Sequence, residues 1–259
     1  AVEGGRGGGE RAEETEETVP VPTESVPTTT GQQPTLPSHT GPFDHAGYIF
    51  VYEDGFVTGW LGEHPVSRGM NYLATGAGID DCWAVDLAEV PSVASMDGGP
   101  LDVTLSTGAQ LGMPYESQYW ETYQADFDQV LSGLGVSAAF QGSNDLDSTT
   151  VDQITVPSMD VVLTLSNFEI LNRAQDLPLK WTPTGADMIV VDLVLDNGQM
   201  MVCHLTDDGA FTIPASALGR LSASLWVELY ATSENVAVAN PSIGPVVLIG
   251  TSRTQNITG

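Results

Sequence analysis

The chain has 259 residues, 41% of them hydrophobic, so it can bury one large core or two small ones. Its 34 acidic residues against seven basic ones leave a formal charge of -27, which excludes nucleic acid as a partner because a phosphate backbone needs a basic stripe. The same charge disfavours docking on an anionic membrane surface, and the lack of a run of about 18 apolar residues predicts no direct membrane insertion.

The first 45 residues differ in composition from the rest. They hold eight acidic residues, six prolines and eight threonines but a single aromatic residue, Phe43. Such a segment cannot bury enough apolar surface to offset the entropy lost on ordering, so residues 1–45 are predicted to be a disordered, partly polyproline-like tail. The tail is either a spacer that holds a domain off a cell surface or a plain flexible terminus. Thr28, Thr29 and Thr30 are candidate O-glycan acceptors.

Strand-like runs recur along the remainder of the chain between Gly, Pro, Asn and Asp residues. Their spacing predicts an all-β fold, a sandwich of antiparallel sheets, rather than alternating strands and helices. A hinge at Pro157 would divide an N-terminal β-rich half, 46–156, from a more regular half, 157–259, although one continuous sandwich fits as well. The predicted strands are 48–52, 84–87, 101–105, 161–165, 188–195, 200–205, 225–230 and 246–249.

Residues 117–134 fit two structures. Apolar positions from Trp120 to Leu134 fall at helical spacing, and Gly133 and Gly135 would end a helix. The aromatic residues at the start of this segment suit a strand equally well. We expect a short helix, or a strand followed by a helical turn.

Two tight turns are predicted in the second half. Asp196-Asn197-Gly198 and Asp207-Asp208-Gly209 each lie between two strand-like runs, where a hairpin turn needs residues that accept positive φ. Together they predict a three-stranded meander over 188–213.

The C-terminal half resembles a group of known proteins. The runs DLPLKWTP at 176–183, VC at 202–203 and DDGAFTIP at 207–214 are similar to those of uncharacterised secreted β-sandwich proteins and lipoproteins of the myxobacterial type. The resemblance implies an Ig-like sandwich in this half and an extracellular or cell-surface location, and it carries no catalytic residues. The lipid-attachment cysteine expected of the lipoproteins is not in this sequence, which leaves the mode of anchoring open.

No motif of a known catalytic class is present. The sequence has no Gly-x-Ser-x-Gly elbow, His-Glu-x-x-His, Cys-x-x-Cys, P-loop or dinucleotide fingerprint. We therefore expect no enzyme, although a carboxylate pair for glycoside hydrolysis would leave no trace in the spacing. His204 adjoins Cys203 on a predicted strand, so their side chains point to opposite faces and cannot share a metal. We expect His204 to face solvent.

Clustered oxygen ligands make one candidate metal site. Asn144, Asp145 and Asp147, with Asp152 beyond, could bind a structural calcium ion, although the loop lacks the twelve-residue pattern with a closing glutamate. In a chain this acidic, short Asp clusters also arise as turn formers. We expect no other cofactor.

Cys82 and Cys203 are the only cysteines and are predicted to form an intramolecular disulfide, because an even count with an extracellular profile favours pairing. The alternative is two buried, reduced thiols. Asn256, in the sequence Asn-Ile-Thr, is the only candidate N-glycosylation site.

Three functions compete. The preferred hypothesis is a structural subunit of a cell-surface or extracellular assembly, a filament or adhesive appendage that self-associates into a homopolymer, with the tail ordered by neighbouring subunits. The alternative is a surface-anchored module that binds glycan, calcium or a surface protein, and a hydrolase is the third. The binding module draws support from tryptophans that could stack on sugars, although such residues also pack cores: Trp60, Trp83, Trp120, Trp181 and Trp226.

Overall fold

The structure, a computed structural model, describes residues 45–63, 79–86, 95–115, 123–144, 146–164, 172–223, 226–239 and 244–258. These residues form fifteen strands and one single-turn helix, so the predicted all-β class is confirmed. Thr28, Thr29 and Thr30 lie outside the described residues. In chain order the elements are β1 His45–Tyr52, β2 Phe56–Glu63, β3 Asp81–Asp86, β4 Leu101–Leu105, β5 Gln110–Met113, β6 Tyr123–Asp126, β7 Gly135–Phe140, β8 Thr149–Thr155, β9 Leu177–Lys180, β10 Met188–Leu195, β11 Gln199–Leu205, β12 Ala210–Ile213, α1 Ala215–Leu218, β13 Val227–Ala239, β14 Val246–Thr251 and β15 Gln255–Thr258.

Nine of the described strands form one mixed sheet, the main sheet. Its order is β3-β11-β10-β13-β14-β1-β2-β6, and β15 pairs with β13 in addition. β1 and β14 are parallel, while the neighbouring pairs on either side are antiparallel. Strands from both sides of Pro157 therefore share this sheet, since β14 pairs with β1 and β11 pairs with β3.

The long strand β13 joins two cores on one face of the main sheet. Its C-terminal part pairs with β14 and its N-terminal part with β15. The first core packs β1, β2 and β14 against a four-stranded sheet of order β5-β4-β7-β8, with Ile49, Leu101 and Phe140 among its buried side chains. The second core packs β10 and β11 against the β9–β12 pair and α1, through Leu193 and Leu218 among others.

The opposite face of the main sheet, here called the second face, is apolar as well. Side chains alternate along a strand, so Ile49 and Val51 enter the first core while their neighbours point to the second face. Strands β1, β10, β11 and β14 of the main sheet are thus buried on both faces. The buried apolar residues of the second face are Ala46, Tyr48, Phe50, Met188, Val190, Met200, Val202, Val247 and Ile249.

The predicted meander over 188–213 is wrong at its third strand. β10 and β11 form the expected hairpin, with Gly198 at φ 83° in its turn. β12, however, pairs with β9 in a separate two-stranded sheet. The turn motif at Asp207 therefore redirects the chain from one sheet to another instead of closing a hairpin.

Two other segments differ from expectation. Residues 161–164 make only an isolated bridge, Thr164 to Lys180, so the strand predicted at 161–165 is wrong for its described part. In the ambiguous segment 117–134 the described part, from Tyr123, holds strand β6 and no helix, so the strand interpretation is correct there. Trp120 lies outside the described residues.

Candidate functional site

Cys82 on β3 and Cys203 on β11 form the predicted disulfide. They are directly paired across the ladder, with their Cα atoms 4.2 Å apart, and both are buried in the second core. β3 is the last described strand on its side of the main sheet, so the bond joins it to β11 across a sequence separation of 121 residues. The two sulfurs therefore serve as a covalent brace and not as a reactive thiol site.

His204 is buried, contrary to the expectation that it faces solvent. It is 1% exposed, and its ring packs edge-on against Trp83 with the ring centroids 4.6 Å apart. Burial lowers the pKa of His204 to about 3, so the imidazole is neutral near physiological pH. The prediction failed because it assumed that the side of β11 opposite Cys203 is solvated, whereas that side belongs to the second face.

Asp192 on β10 also points to the second face. Its cross-strand partners are Val202 on β11 and Tyr230 on β13. The residue is partly exposed, but its Oδ1 atom is buried and has no hydrogen-bond partner among the described residues. Burial raises the pKa of Asp192 to about 7. The sequence does carry a signal of this burial: MIVVDLVL at 188–195 is a nearly continuous apolar run, typical of a strand buried on both faces, interrupted by one acid.

Asp207 organises the loop that follows β9. Its Oδ1 accepts a hydrogen bond from the Trp181 indole at 2.9 Å, and its Oδ2 accepts the backbone N–H groups of Thr184 and Gly185, both at 2.7 Å. The Oδ2 atom also accepts the Thr184 hydroxyl at 3.0 Å and the Ala186 N–H at 3.3 Å. These bonds draw the turn after β11 toward residues 181–186, which explains why β12 leaves β11 and pairs with β9.

Exposed apolar side chains mark one end of the main sheet. A large hydrophobic side chain that stands in solvent is informative when several cluster, because such clusters mark interaction sites. Three of these side chains lie on two loops that meet beside the end of β1, and together they are called the end patch. The end patch consists of Val130 at 68% exposure, Met159 at 49% and Val162 at 62%.

The contacts of neighbouring residues place the end patch beside the C-terminal end of β1. Leu131 donates its N–H to the carbonyl of Glu53, the residue after β1, at 2.7 Å. The Asp160 side chain hydrogen-bonds the Glu53 carboxyl group. Leu163 donates its N–H to Oε1 of Gln255, at the start of β15, at 2.6 Å. Leu131, Asp160 and Leu163 are each the chain neighbour of a member of the end patch, so the backbone that carries the end patch lies beside the junction of β1, β14 and β15.

Glu53 and Asp160 are the acid pair at this junction. Burial, and after it the charge of Asp160, raise the pKa of Glu53, while a backbone hydrogen bond from Arg253 and the positive charge of Arg253 lower it. Asp160 is exposed and Glu53 is partly buried. The pair is therefore solvated on one side and gives the end patch an acidic rim.

The described residues of the predicted calcium loop lie between β7 and β8. Asn144 and Asp147 are exposed there, and Asp145 lies outside the described residues. Leu146 is buried in the first core, and it donates its N–H to Ser143 Oγ and accepts the Ser143 N–H at 2.8 Å. Within the described ranges no three His, Cys, Asp or Glu side chains gather as a metal site. Calcium binding at this loop stays a prediction.

The remaining candidate residues are placed separately. Asn256 is exposed on β15, so its side chain is accessible to a glycan. Trp181 is buried in the second core, Trp60 and Trp83 pack at the edge of the second face, and Trp226 is 42% exposed. The structure brings no two exposed tryptophans together in its described part.

A polar cavity of about 420 Å³ lies between the end of β8, the loop before β10 and the middle of β13. Asn235 in its wall accepts the N–H of Asp187 at 2.7 Å and donates to the carbonyl of Thr155 at 2.6 Å. The Asp187 carboxylate accepts the N–H of Val236 at 2.9 Å. Several polar groups of this wall thus already bond one another.

No helix among the described residues is long and apolar enough to cross a membrane. No family model matches the sequence, and no curated protein matches it. Among solved structures, the chain is similar to the crystal structure of a tetra-tandem repeat in the extending region of a large adhesion protein, with 11% sequence identity and a TM-score of 0.24. The match covers 83% of this chain and 49% of that one, so this chain spans about half its length. A likeness this distant carries no argument about function.

Proposed function

We propose that this protein is a structural subunit of a cell-surface or extracellular assembly, in which copies associate with one another and the N-terminal tail of each copy is ordered by a neighbour. The observation that carries the proposal is the end patch. Val130, Met159 and Val162 are strongly exposed in a chain whose formal charge is -27. An apolar cluster on an otherwise acidic surface is the kind of feature that a partner covers.

The disulfide supports the proposed location. Cys82 and Cys203 are joined in the second core, and disulfides form and persist in oxidising compartments outside the cytosol. A covalent brace on β3 also suits a subunit that bears load at the cell exterior, because it keeps this strand from peeling away from β11.

The composition of the tail supports the role in assembly. Residues 1–44 hold six prolines and a single aromatic residue, and prolines remove backbone donors and favour extended conformations. Ordering such a segment costs about 1–2 kcal/mol per residue, which a segment with few apolar side chains of its own does not offset. Contacts repeated between copies supply the missing burial.

The proposal assigns no catalytic activity to the chain. Among the described groups, Asp192 and His204 have the largest pKa shifts that arise from burial alone, and in each case burial favours the uncharged form. Both side chains lie on the second face of the sheet, packed among apolar side chains. Neither lines the polar cavity. Their shifts follow from burial and need no catalytic role.

Sedimentation velocity on the intact chain and on a chain that lacks residues 1–44 tests the proposal. We expect the intact protein to form polymers that grow with protein concentration and with added salt or calcium, which screen the repulsion between acidic copies. The truncated protein should stay monomeric under the same conditions. A monomeric intact protein at every salt and calcium concentration contradicts the proposal, and so does unchanged polymer formation after truncation.

The polar cavity favours a second candidate, a surface-anchored module that binds glycan, calcium or a surface protein. Its wall combines amide, hydroxyl and carboxylate groups from Gln153, Ser158, Thr184 and Asp187, which are the groups that recognise sugars and cations. A monomer whose NMR signals at these residues shift with an added oligosaccharide or calcium would favour this candidate over the assembly subunit.

A further inference from the structure

We propose that residues 25–43 of a second copy of this chain bind in extended form to the end patch and to the outer edge of β15. The inference rests on the proposed function and deepens it, because it names the surface and the segment that join two subunits.

The outer edge of β15 faces away from β13 and pairs with no described strand. β14 and β15 follow each other along β13, where they pair with residues 234–239 and 228–231. β1 accompanies β14 only as far as the Tyr52–Thr251 pair, and the chain then turns into β2. No described strand takes the place of β1 beside β15, so its outer edge is unpaired within the described part of the chain. Unpaired edges accept an added strand from another chain.

Two buried serines hold the junction of β14 and β15 against β13. Between β14 and β15, Ser252 donates its N–H to the Ser233 carbonyl and accepts the Ser233 N–H on its hydroxyl oxygen, both at 3.0 Å. Both serines are buried. The segment between β14 and β15 is therefore hydrogen-bonded to β13 at Ser252, and β15 follows it next to the end patch.

Residues 25–43, the proposed occupant, contain no Asp, Glu, Lys or Arg, although the chain as a whole has 34 acidic residues. This stretch can approach the acidic rim of Glu53 and Asp160 without the like-charge repulsion that the more N-terminal, Glu-rich part of the tail would meet. Within it, residues 28–33 contain no proline, so each can donate a backbone N–H to the four-residue strand β15. Val26 and Leu36 flank this run and can cover the apolar side chains of the end patch.

The tail and the end patch lie at opposite ends of β1. The tail joins β1 at His45, whereas the end patch lies beside Glu53, just past the other end of the same eight-residue strand. At about 3.3 Å per residue these points are roughly 25 Å apart. A tail that leaves one copy at the His45 end meets the end patch of the next copy when copies stack end to end. A contact of this kind between unlike surfaces extends into a filament unless the rotation from copy to copy closes a ring.

Photo-cross-linking of the full chain tests the inference. The photoreactive amino acid benzoylphenylalanine replaces Val162 in two preparations of the protein, one unlabelled and one labelled with nitrogen-15. Equal amounts of the two are mixed and irradiated under assembly conditions. We expect cross-linked peptides that pair a light and a heavy chain and join position 162 to residues 25–43. The same photoreactive group at Thr150, an exposed residue on β8, should give no cross-link to residues 25–43.

Charge variants give a second readout. Replacing Met159→Glu and Val162→Glu together should weaken association at least roughly tenfold, since it places charge where two apolar side chains are buried in the assembly. Thr150→Glu adds charge away from the end patch and should leave association unchanged. Polymers whose position-162 cross-links fall outside residues 25–43, or lie only within one chain, overturn this inference and leave the proposed function standing. A chain that stays monomeric overturns both.

Discussion

The carboxylate on the second face gives the most informative perturbation of the fold. Asp192→Asn keeps the size and polarity of the side chain but removes its charge. Burial raises the pKa of Asp192 to about 7, so the folded protein holds a proton there over a pH range in which the unfolded chain has released it. The stability linked to this proton is fully present below the unfolded-state pKa and is lost as pH rises toward and through 7.

The size of the effect follows from that shift. Moving the pKa from its ordinary value of 3.8 to about 7 corresponds to at most ~4 kcal/mol. Asp192→Asn should therefore gain stability relative to the wild type by up to about 4 kcal/mol between pH 4 and pH 8. The pH-independent cost of burying the new amide cancels when the two pH values are compared.

Chemical unfolding followed by tryptophan fluorescence measures this difference. Wild type and Asp192→Asn are unfolded in urea from acidic to mildly alkaline pH at constant, high ionic strength, which limits the contribution of the other acidic residues. The predicted result is a stability difference that widens as pH rises and levels off above pH 7. A difference that stays constant across this range would refute the reasoning, because it would mean that the carboxylate is solvated or paired in the folded protein.

Three further predictions follow from buried contacts. His204→Phe should gain stability relative to the wild type as pH falls below 6.5, by up to about 5 kcal/mol, because the folded-state pKa of about 3 opposes protonation of the wild-type imidazole; a pH-independent difference in the same unfolding assay contradicts it. Replacing Cys82 and Cys203 with serine should lower the unfolding free energy by roughly 4 kcal/mol, and non-reducing peptide mass spectrometry of native protein should recover the linked peptides rather than two free thiols. Asp207→Asn turns one of the two acceptor oxygens that hold residues 181–186 into a donor and removes the charge, so it should cost about 2 kcal/mol, whereas Asp208→Asn next to it should cost little; equal losses for the two variants would argue against this role of Asp207.

Local patterns were enough to predict much of the strand content. The hairpin of β10 and β11 follows from two apolar runs around Asn197-Gly198, because Gly198 supplies the positive φ that the turn requires. Strands such as β2 and β7 were not predicted, since Gly59 and the small residues of Gly135–Phe140 weaken the apolar alternation on which such predictions depend. The parallel pairing of β1 with β14 joins opposite ends of the sequence and has no local signal.

The candidate site was harder to predict, for a related reason. A single strand shows which residues alternate, but it does not show whether its second side is covered. His204 was expected in solvent, and Asp192 was not singled out. The burial of each side chain depends on what packs on the second face, which the strand's own sequence does not show. The end patch likewise has no local signal, because Val130 lies on one loop and Met159 and Val162 on another, and the two loops come together only at Glu53.

Electron microscopy of native protein released from cells tests the central claim most directly. If the chain is an assembly subunit, the released material should contain filaments or end-to-end polymers built from this protein, and these should shorten when salt is removed and repulsion between copies grows. Uniform single copies at every protein and salt concentration would contradict the account.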